Sequence, residues 1–243
     1  HHERSVIVDR AGRPRWHAIW EGNPAIIRPE AWQSTDHNIV NGPNCRPYIT
    51  YPFTAESGWT FDQRFRARDH VAKIYLTPDE RAYGERLRTA IGRPYVLIDP
   101  WSKHHNLRWP RDHWQTLVDT CRDLTWVQQI YGDVVPLQRV TTVSTPSFRH
   151  ACCLLATAAI YVRGESGMCH AAAALGVTQV TIWGGCMDWT VLGGYPGQHA
   201  VGVSLPACGR YQPCTHCDAA MRAITPDWVA EKLRAALSTI RVE

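Results

Sequence analysis

Six consecutive residues, Glu165-Ser166-Gly167-Met168-Cys169-His170, put a carboxyl, a hydroxyl, a glycine and an imidazole into one short turn. An apolar run, residues 158–162, leads into it through Arg163-Gly164. An alanine-rich run, residues 171–175, follows and turns at Gly176. A second β-branched run, residues 177–183, closes on Gly184-Gly185. Strand, glycine turn, helix and strand make one βαβ unit. Glycine lets the backbone approach a ligand, and the first turn of a helix offers unpaired N–H groups that favour anions. Ser166, the Gly167 and Met168 amides, and His170 therefore read as a nucleotide-phosphate site. A carboxylate repels phosphate, so Glu165 is expected to orient the turn or a ribose hydroxyl. An architectural reading stands beside this one: Glu165 and Ser166 as a helix N-cap, His170 as a packed histidine, and the glycines serving only the crossover. The pattern is neither a Walker loop nor a G-x-G-x-x-G.

Two other clusters carry chemistry. Residues 100–107 form a polar loop in which Ser102, Lys103, His104 and His105, with Arg108 just beyond, offer a hydroxyl and cations. Farther on, Cys208-x5-Cys214-x2-Cys217 reads as three ligands of a structural zinc or iron, with Cys186, His199 or His216 as a fourth. Reduced, packed thiols are the competing reading. Candidates for a catalytic base in the first third of the chain are Asp36, His37, Asp62, Asp69 and His70, none of them in a motif.

The elements that must hold these groups follow from periodicity and punctuation. Residues 5–9 read as a short buried strand, residues 17–20 as a helical turn or strand, and residues 26–69 as irregular, with short strands near Ile39 and residues 48–51. Residues 72–76 read as a strand. Thr77-Pro78-Asp79-Glu80 then supplies a cap, a proline at the first helical position and early acids for a helix to Ile91. Gly92-Arg93-Pro94 marks a break, which divides the chain into domains of residues 1–92 and 93–243. Beyond it the rhythm is regular: strand 95–99, helix 110–122 with Trp114, Leu117, Val118 and Cys121 on one face, strand 125–130, helix 146–156, then the central unit. Residues 184–222 read as a loop region. A helix over 225–237 ends the chain, again opened by a cap and a proline. Alternating strands and helices predict a parallel sheet covered on both faces, with ligands beyond the carboxyl ends of its strands.

The bulk numbers bound the classes. A chain of 243 residues with 44% apolar and 20% charged residues is ordinarily globular. The net charge of +4 suits an anionic small molecule and is a weak footprint for nucleic acid. No apolar run approaches the roughly 20 residues of a membrane span, and no signal-peptide pattern opens the chain, so a cytoplasmic protein is expected. His1-His2 has the look of a tag remnant and is set aside. Nine cysteines is an odd number, and Cys121, Cys152 and Cys153 fall inside expected helices, as reduced buried thiols do.

The second half of the chain resembles the nucleotide-binding half of glycosyltransferase family 9, the ADP-heptose lipopolysaccharide heptosyltransferases and their bacterial and phage relatives. Tyr95 to Pro100, followed by Arg108-Trp109-Pro110, is similar to the family's strand, loop and "K-x-W-P" helix start. Phe148 to Ala158 resembles the helix before its central strand. Gly164 to Ala173 is similar to its D-[ST]-G-x-x-H-x-A-A signature, with Glu165 in the acidic position. Val180 to Gly185 resembles the family's next strand and glycine turn. The resemblance implies an α/β, GT-B-like fold of two Rossmann-like halves, the N-terminal one reduced or truncated. It implies a nucleotide-diphospho-sugar donor, ADP-heptose-like, held by the second half, with Ser102, Lys103, Arg108, Glu165, Ser166, Gly167, Met168 and His170 around the diphosphate. It also implies inverting transfer of a hexosyl or heptosyl group to an acceptor hydroxyl on a glycan or protein, or to a modified nucleobase, without a metal, consistent with the lack of a D-x-D pair. Two departures stand out. The lysine expected two before the tryptophan is Leu107. No Gly-Asp turn, the family's source of the base, precedes Ser5; the sequence opens at a stretch matching the family's second strand, and residues 20–24 resemble the segment just after that strand. Asp36, Asp69 and His70 are then the candidate bases. The alternative function is a nucleotide-binding module without catalysis, in which the donor half is kept and the base lost. A sugar-nucleotide epimerase, or another Rossmann enzyme, would need an early dinucleotide fingerprint, and there is none.

Overall fold

The structure, a computed structural model, describes residues 5–9, 11–24, 26–31, 37–40 (backbone only), 73–210 and 212–240. Strands β1 (Ser5–Val8) and β2 (His37–Val40) pair in parallel as a small two-stranded sheet. Between them the stretch expected to be helical or extended is a 3-10 turn, Ala18–Trp20, capped by the His17 imidazole on the Ile19 amide.

Helix α1 (Pro78–Ile91) follows a full capping box, in which the Thr77 hydroxyl accepts from the Glu80 amide and the Glu80 carboxylate accepts from the Thr77 amide. It ends at Gly92 with φ 83°, a left-handed conformation that glycine adopts without strain. The stretch before it corrects the sequence reading. Residues 73–77 are extended but join no sheet, because the Ile74 amide donates to Ala174 O on a helix end instead of to a strand edge.

The main sheet has six strands: β3 (Val96–Asp99), β4 (Trp126–Ile130), β5 (Thr141–Ser144), β6 (Ile160–Gly164), β7 (Gln179–Trp183) and β8 (Gln198–Gly202). Their order is β5-β4-β3-β6-β7-β8, all parallel. The central strands are buried on both faces, which explains why they read as unbroken apolar runs. On one face Val96, Ile98, Ile160, Val162, Val180 and Ile182 pack against α2 (Arg111–Thr120) and α7 (Pro226–Thr239). On the other, Tyr95, Leu97, Val127 and Tyr161 pack against α3 (Phe148–Ala156) and α4 (Gly167–Leu175). Helix α1 lies on α3, so close that a Cβ on Gly84 would stand 2.8 Å from Cys153 O. Sequential connections run one way from β3 and the other way from β6. The sheet therefore has a topological switch point between those two strands, where ligands of such folds bind.

The expected loop over residues 184–222 is only partly one. It holds α5 (Trp189–Leu192), β8 and α6 (Thr215–Ala223). Strand β8 follows Gly197 and ends on Gly202, and its sequence QHAVG lacks the β-branched run of the central strands. Strand β5, which the sequence pattern does not mark, is a largely exposed edge whose TTVS sequence offers only Val143 to the core.

Candidate functional site

The turn between β6 and α4 is built as a helix start. Ser166 is the N-cap, its hydroxyl accepting from the Met168 amide at 3.2 Å. Cys169, in the first turn, donates its thiol to Gly164 O and sits buried under the turn. A Cβ on Gly164 would meet Leu107 O at 2.8 Å, so the end of β6 and the 3-10 turn His105–Leu107 approach backbone to backbone. A Cβ on Gly167, by contrast, would meet nothing within 4 Å: this glycine faces open space.

That space is a cavity of about 930 Å³. Ser166, Gly167, Met168 and His170 form one wall. Gln129, Tyr131 and Thr145, at the ends of β4 and β5, form the floor, and Trp20 and Asn23 close it from the N-terminal side. His170 Nδ1 lies 2.7 Å from the Tyr195 hydroxyl, and burial lowers its pKa, which keeps the imidazole neutral at pH 7. When the tyrosine donates to Nδ1, the other nitrogen carries the proton and is a neutral donor. Gln129 is 5% exposed, and its Oε1 is buried with no hydrogen-bond partner. An unpaired buried acceptor costs about 1–3 kcal/mol.

Sequence reasoning thus found one wall and missed the floor. Of the expected donor contacts, four line the cavity, while Ser102, Lys103, Arg108 and Glu165 are not among its lining residues. Arg108 Nε donates to Ser102 O at 2.7 Å and its guanidinium lies over the Trp101 ring, facing a second hollow between residues 100–111 and α6. Leu107, at the position of the expected lysine, is buried against Cys186 and Cys217. Glu165 is buried, with no side-chain hydrogen bond found among the described residues. Burial raises its pKa to about 7, with Arg163 pulling the other way. The candidate bases Asp36, Asp62, Asp69 and His70 lie outside the described residues, as does the side chain of His37. The signal that could have pointed to the floor was the polar end of each apolar strand, Asp99, Gln129 and Arg163.

The expected cysteines come together, joined by His216, one of the three expected fourth partners. Ligand atoms of Cys208, Cys214, His216 and Cys217 all lie within 4.8 Å of one another. Cys214 caps α6, where the His216 and Cys217 amides lower its pKa. Three thiols and one imidazole at that spacing match a tetrahedral soft-metal donor set. Cys186 adjoins this group, interacting with the Cys208 and Cys217 thiols, and its own thiol donates to Arg210 O at 3.5 Å. His216 takes the fourth position because Gly185 has no side chain to obstruct it; a Cβ there would fall 2.3 Å from His216 Cε1. The cluster braces the neighbouring loops, with Cys208 and Gly209 amides donating to Gly185 and Cys186 carbonyls and Asn106 Nδ2 donating to Arg210 O and Gln212 O.

A parallel α/β sheet with helices on both faces and its cavity at the switch point places this chain among Rossmann-like folds of the GT-B kind. It is similar in structure to E. coli ADP-heptose lps heptosyltransferase II, with TM-score 0.53 and 18% identity, over 75% of this chain and 60% of that one. The iron-containing dodecameric glycosyltransferase TibC from enterotoxigenic E. coli H10407 gives TM-score 0.55 and 15% identity, over 89% and 64%. A glycosyl transferase family 9 protein from Veillonella parvula DSM 2008 gives 0.55 and 12%, over 76% and 58%. The chain therefore spans about three fifths of the length of these structures. Among curated proteins none matches it. The family model described as glycosyltransferase family 9 (heptosyltransferase) matches residues 61–189, more than half of the chain. The chain belongs to glycosyltransferase family 9. Among the described residues no helix is long and apolar enough to cross a membrane.

Proposed function

We propose that this chain carries the donor site of a glycosyltransferase that moves a sugar from a nucleotide diphosphate, ADP-heptose-like, to an acceptor hydroxyl. One observation carries the reading: a cavity large enough for a nucleotide sugar ends on the capped N-terminus of α4, with Ser166, Gly167 and His170 on its wall. As the sugar leaves, negative charge grows on the β-phosphate. The Gly167 and Met168 amides, the Ser166 hydroxyl and a neutral His170 are the donors that would stabilise it, fixed before the reaction begins. No step in this scheme calls for a metal at the phosphates. Ser102, Lys103 and Arg108 would reach the donor only through a rearrangement of residues 100–108, and Glu165 acts by shaping the turn. In this reading residues 93–243 are the donor domain and residues 1–92 the acceptor side, with α1 as the arm that docks on α3. The base and the acceptor, whether glycan, protein or modified nucleobase, are unassigned.

The thiol cluster is proposed to hold a structural zinc or iron through Cys208, Cys214, Cys217 and His216, as the iron-containing description of TibC encourages. Such a metal would brace the loops behind the donor site.

The test is calorimetric titration with ADP, UDP, GDP and their sugars against wild type and Gly167→Asp. The open space at Gly167 accommodates the new side chain, so the variant places a carboxylate at the phosphate position without a steric clash. Binding of one nucleotide by wild type, reduced at least tenfold in the variant, is expected. Equal binding by both proteins would remove the α4 terminus from the site.

A further inference from the structure

Asp99 and Arg163 are register partners on the adjacent strands β3 and β6, at the switch point of the sheet. Their side chains stand on the same face, and Arg163 Nη1 lies 2.8 Å from Asp99 Oδ2. Both are buried, Asp99 completely. A buried ion pair contributes little net stability compared with apolar residues of the same size, because both charges must be stripped of water. Its presence at the centre of the sheet therefore calls for a use.

The surrounding contacts show that the pair is aimed. Asp99 accepts from the Tyr131 hydroxyl at 3.1 Å through both oxygens and from the Trp101 amide at 3.3 Å. Arg163 donates through Nη2 to Trp101 O at 3.0 Å and through Nη1 to the Tyr161 hydroxyl at 3.3 Å. Those bonds and the ion pair occupy three of the five donors of a guanidinium, leaving two to share between the adjoining Tyr131 hydroxyl and a ligand. Arg163 and Tyr131 both line the cavity that ends on α4, as does the unpartnered Gln129. Among the described residues, the other cation on the cavity wall, Lys73, is exposed. Arg163 is thus a charge held in a fixed direction, three residues ahead of the Ser166 cap.

We propose that Arg163 binds the diphosphate of the donor, its guanidinium held by the Trp101 carbonyl and the Tyr161 hydroxyl while Asp99 offsets part of its charge. This deepens the donor-site reading and rests on it. A guanidinium presents a planar fork of donors to phosphate oxygens and stays charged at any working pH. Asp99 lowers the net charge of the site, so its removal and the removal of Arg163 act on an anionic ligand in opposite directions.

That sign difference is the test. The full chain and its Arg163→Gln, Asp99→Asn, Asp99→Asn/Arg163→Gln, Arg163→Lys and Lys73→Ala variants are titrated with ADP, UDP and GDP, with thermal melts alongside. Loss of Arg163, alone or with Asp99, is expected to weaken nucleoside diphosphate binding tenfold or more. Asp99→Asn alone is expected to tighten it, Arg163→Lys to recover part of the loss, and Lys73→Ala to change it less than twofold. If Asp99→Asn and Arg163→Gln both weaken binding alike, or neither changes it, the pair is structural and the proposal is overturned. Where Arg163→Gln alone does not fold, the double variant, which leaves no unpaired buried charge, and Asp99→Asn decide by the same signs. A wild-type protein that binds none of the three diphosphates overturns the donor-site reading itself, and this assignment with it.

Discussion

Replacing Glu165 by Gln is expected to stabilise the protein in mildly alkaline solution and to leave it unchanged in acid. The carboxyl is buried, and its pKa is raised from 4.5 to about 7 because the charged form loses its water and Arg163 only partly compensates. In the unfolded chain the same group titrates near its ordinary value. Between those two values the folded protein binds the extra proton, so stability falls as pH rises. The contribution is fully present below about pH 4.5, is lost as pH climbs through about 7, and levels off above that. At about 1.4 kcal/mol for each pH unit, the interval amounts to roughly 3 kcal/mol. Glutamine has similar shape and polarity and no charge, so it escapes the loss. For a chain of this length about 3 kcal/mol corresponds to roughly 6–12 °C in melting temperature. Thermal melts of wild type and Glu165→Gln, taken from about pH 4.5 to about pH 8.5, should coincide at the acid end and separate by that amount at the alkaline end. The difference between the two proteins cancels every other titrating group. A variant that is no more stable than wild type at about pH 8.5 would refute the reasoning, and would mean that a partner holds the carboxylate in its charged form.

Three further outcomes are expected. Gly84→Ala should destabilise by about 1–3 kcal/mol in chemical denaturation, because the new methyl meets the Cys153 carbonyl at 2.8 Å and must lift α1 from α3. Gly185→Ala should lower zinc or iron content per chain, measured by elemental analysis after metal reconstitution, since the added Cβ displaces His216 from the thiols; unchanged stoichiometry would take His216 out of the ligand set. Tyr195→Phe should weaken nucleoside diphosphate binding about fivefold, the worth of roughly one hydrogen bond, by releasing the His170 ring from its 2.7 Å contact.

The order of elements in the second half was legible because local rules and burial agree there. Thr77-Pro78 and Thr225-Pro226 announced α1 and α7, and the apolar runs at 95–99 and 158–162 could only be buried parallel strands. The Ser166–His170 turn was legible for the same reason: a cap hydroxyl, a glycine and a following alanine run are local features. Strands β5 and β8 were not, since one is a largely polar edge and the other, QHAVG, lacks a β-branched run and is held by pairing with β7. Residues 73–77 misled in the opposite direction, being strand-like in composition with no strand to pair with.

By itself the sequence determined most of the helices and strands of the second half, that a glycine turn opening a helix follows a buried strand, and that three cysteines sit close in the chain. These depend on contacts a few residues apart. Only the tertiary structure decided that Asp99, Gln129, Tyr131 and Arg163, spread over 65 positions, meet at one end of one sheet, because strand order brings β3, β4 and β6 side by side. It also decided that His216 joins the three thiols, since Gly185 carries no side chain to obstruct its ring.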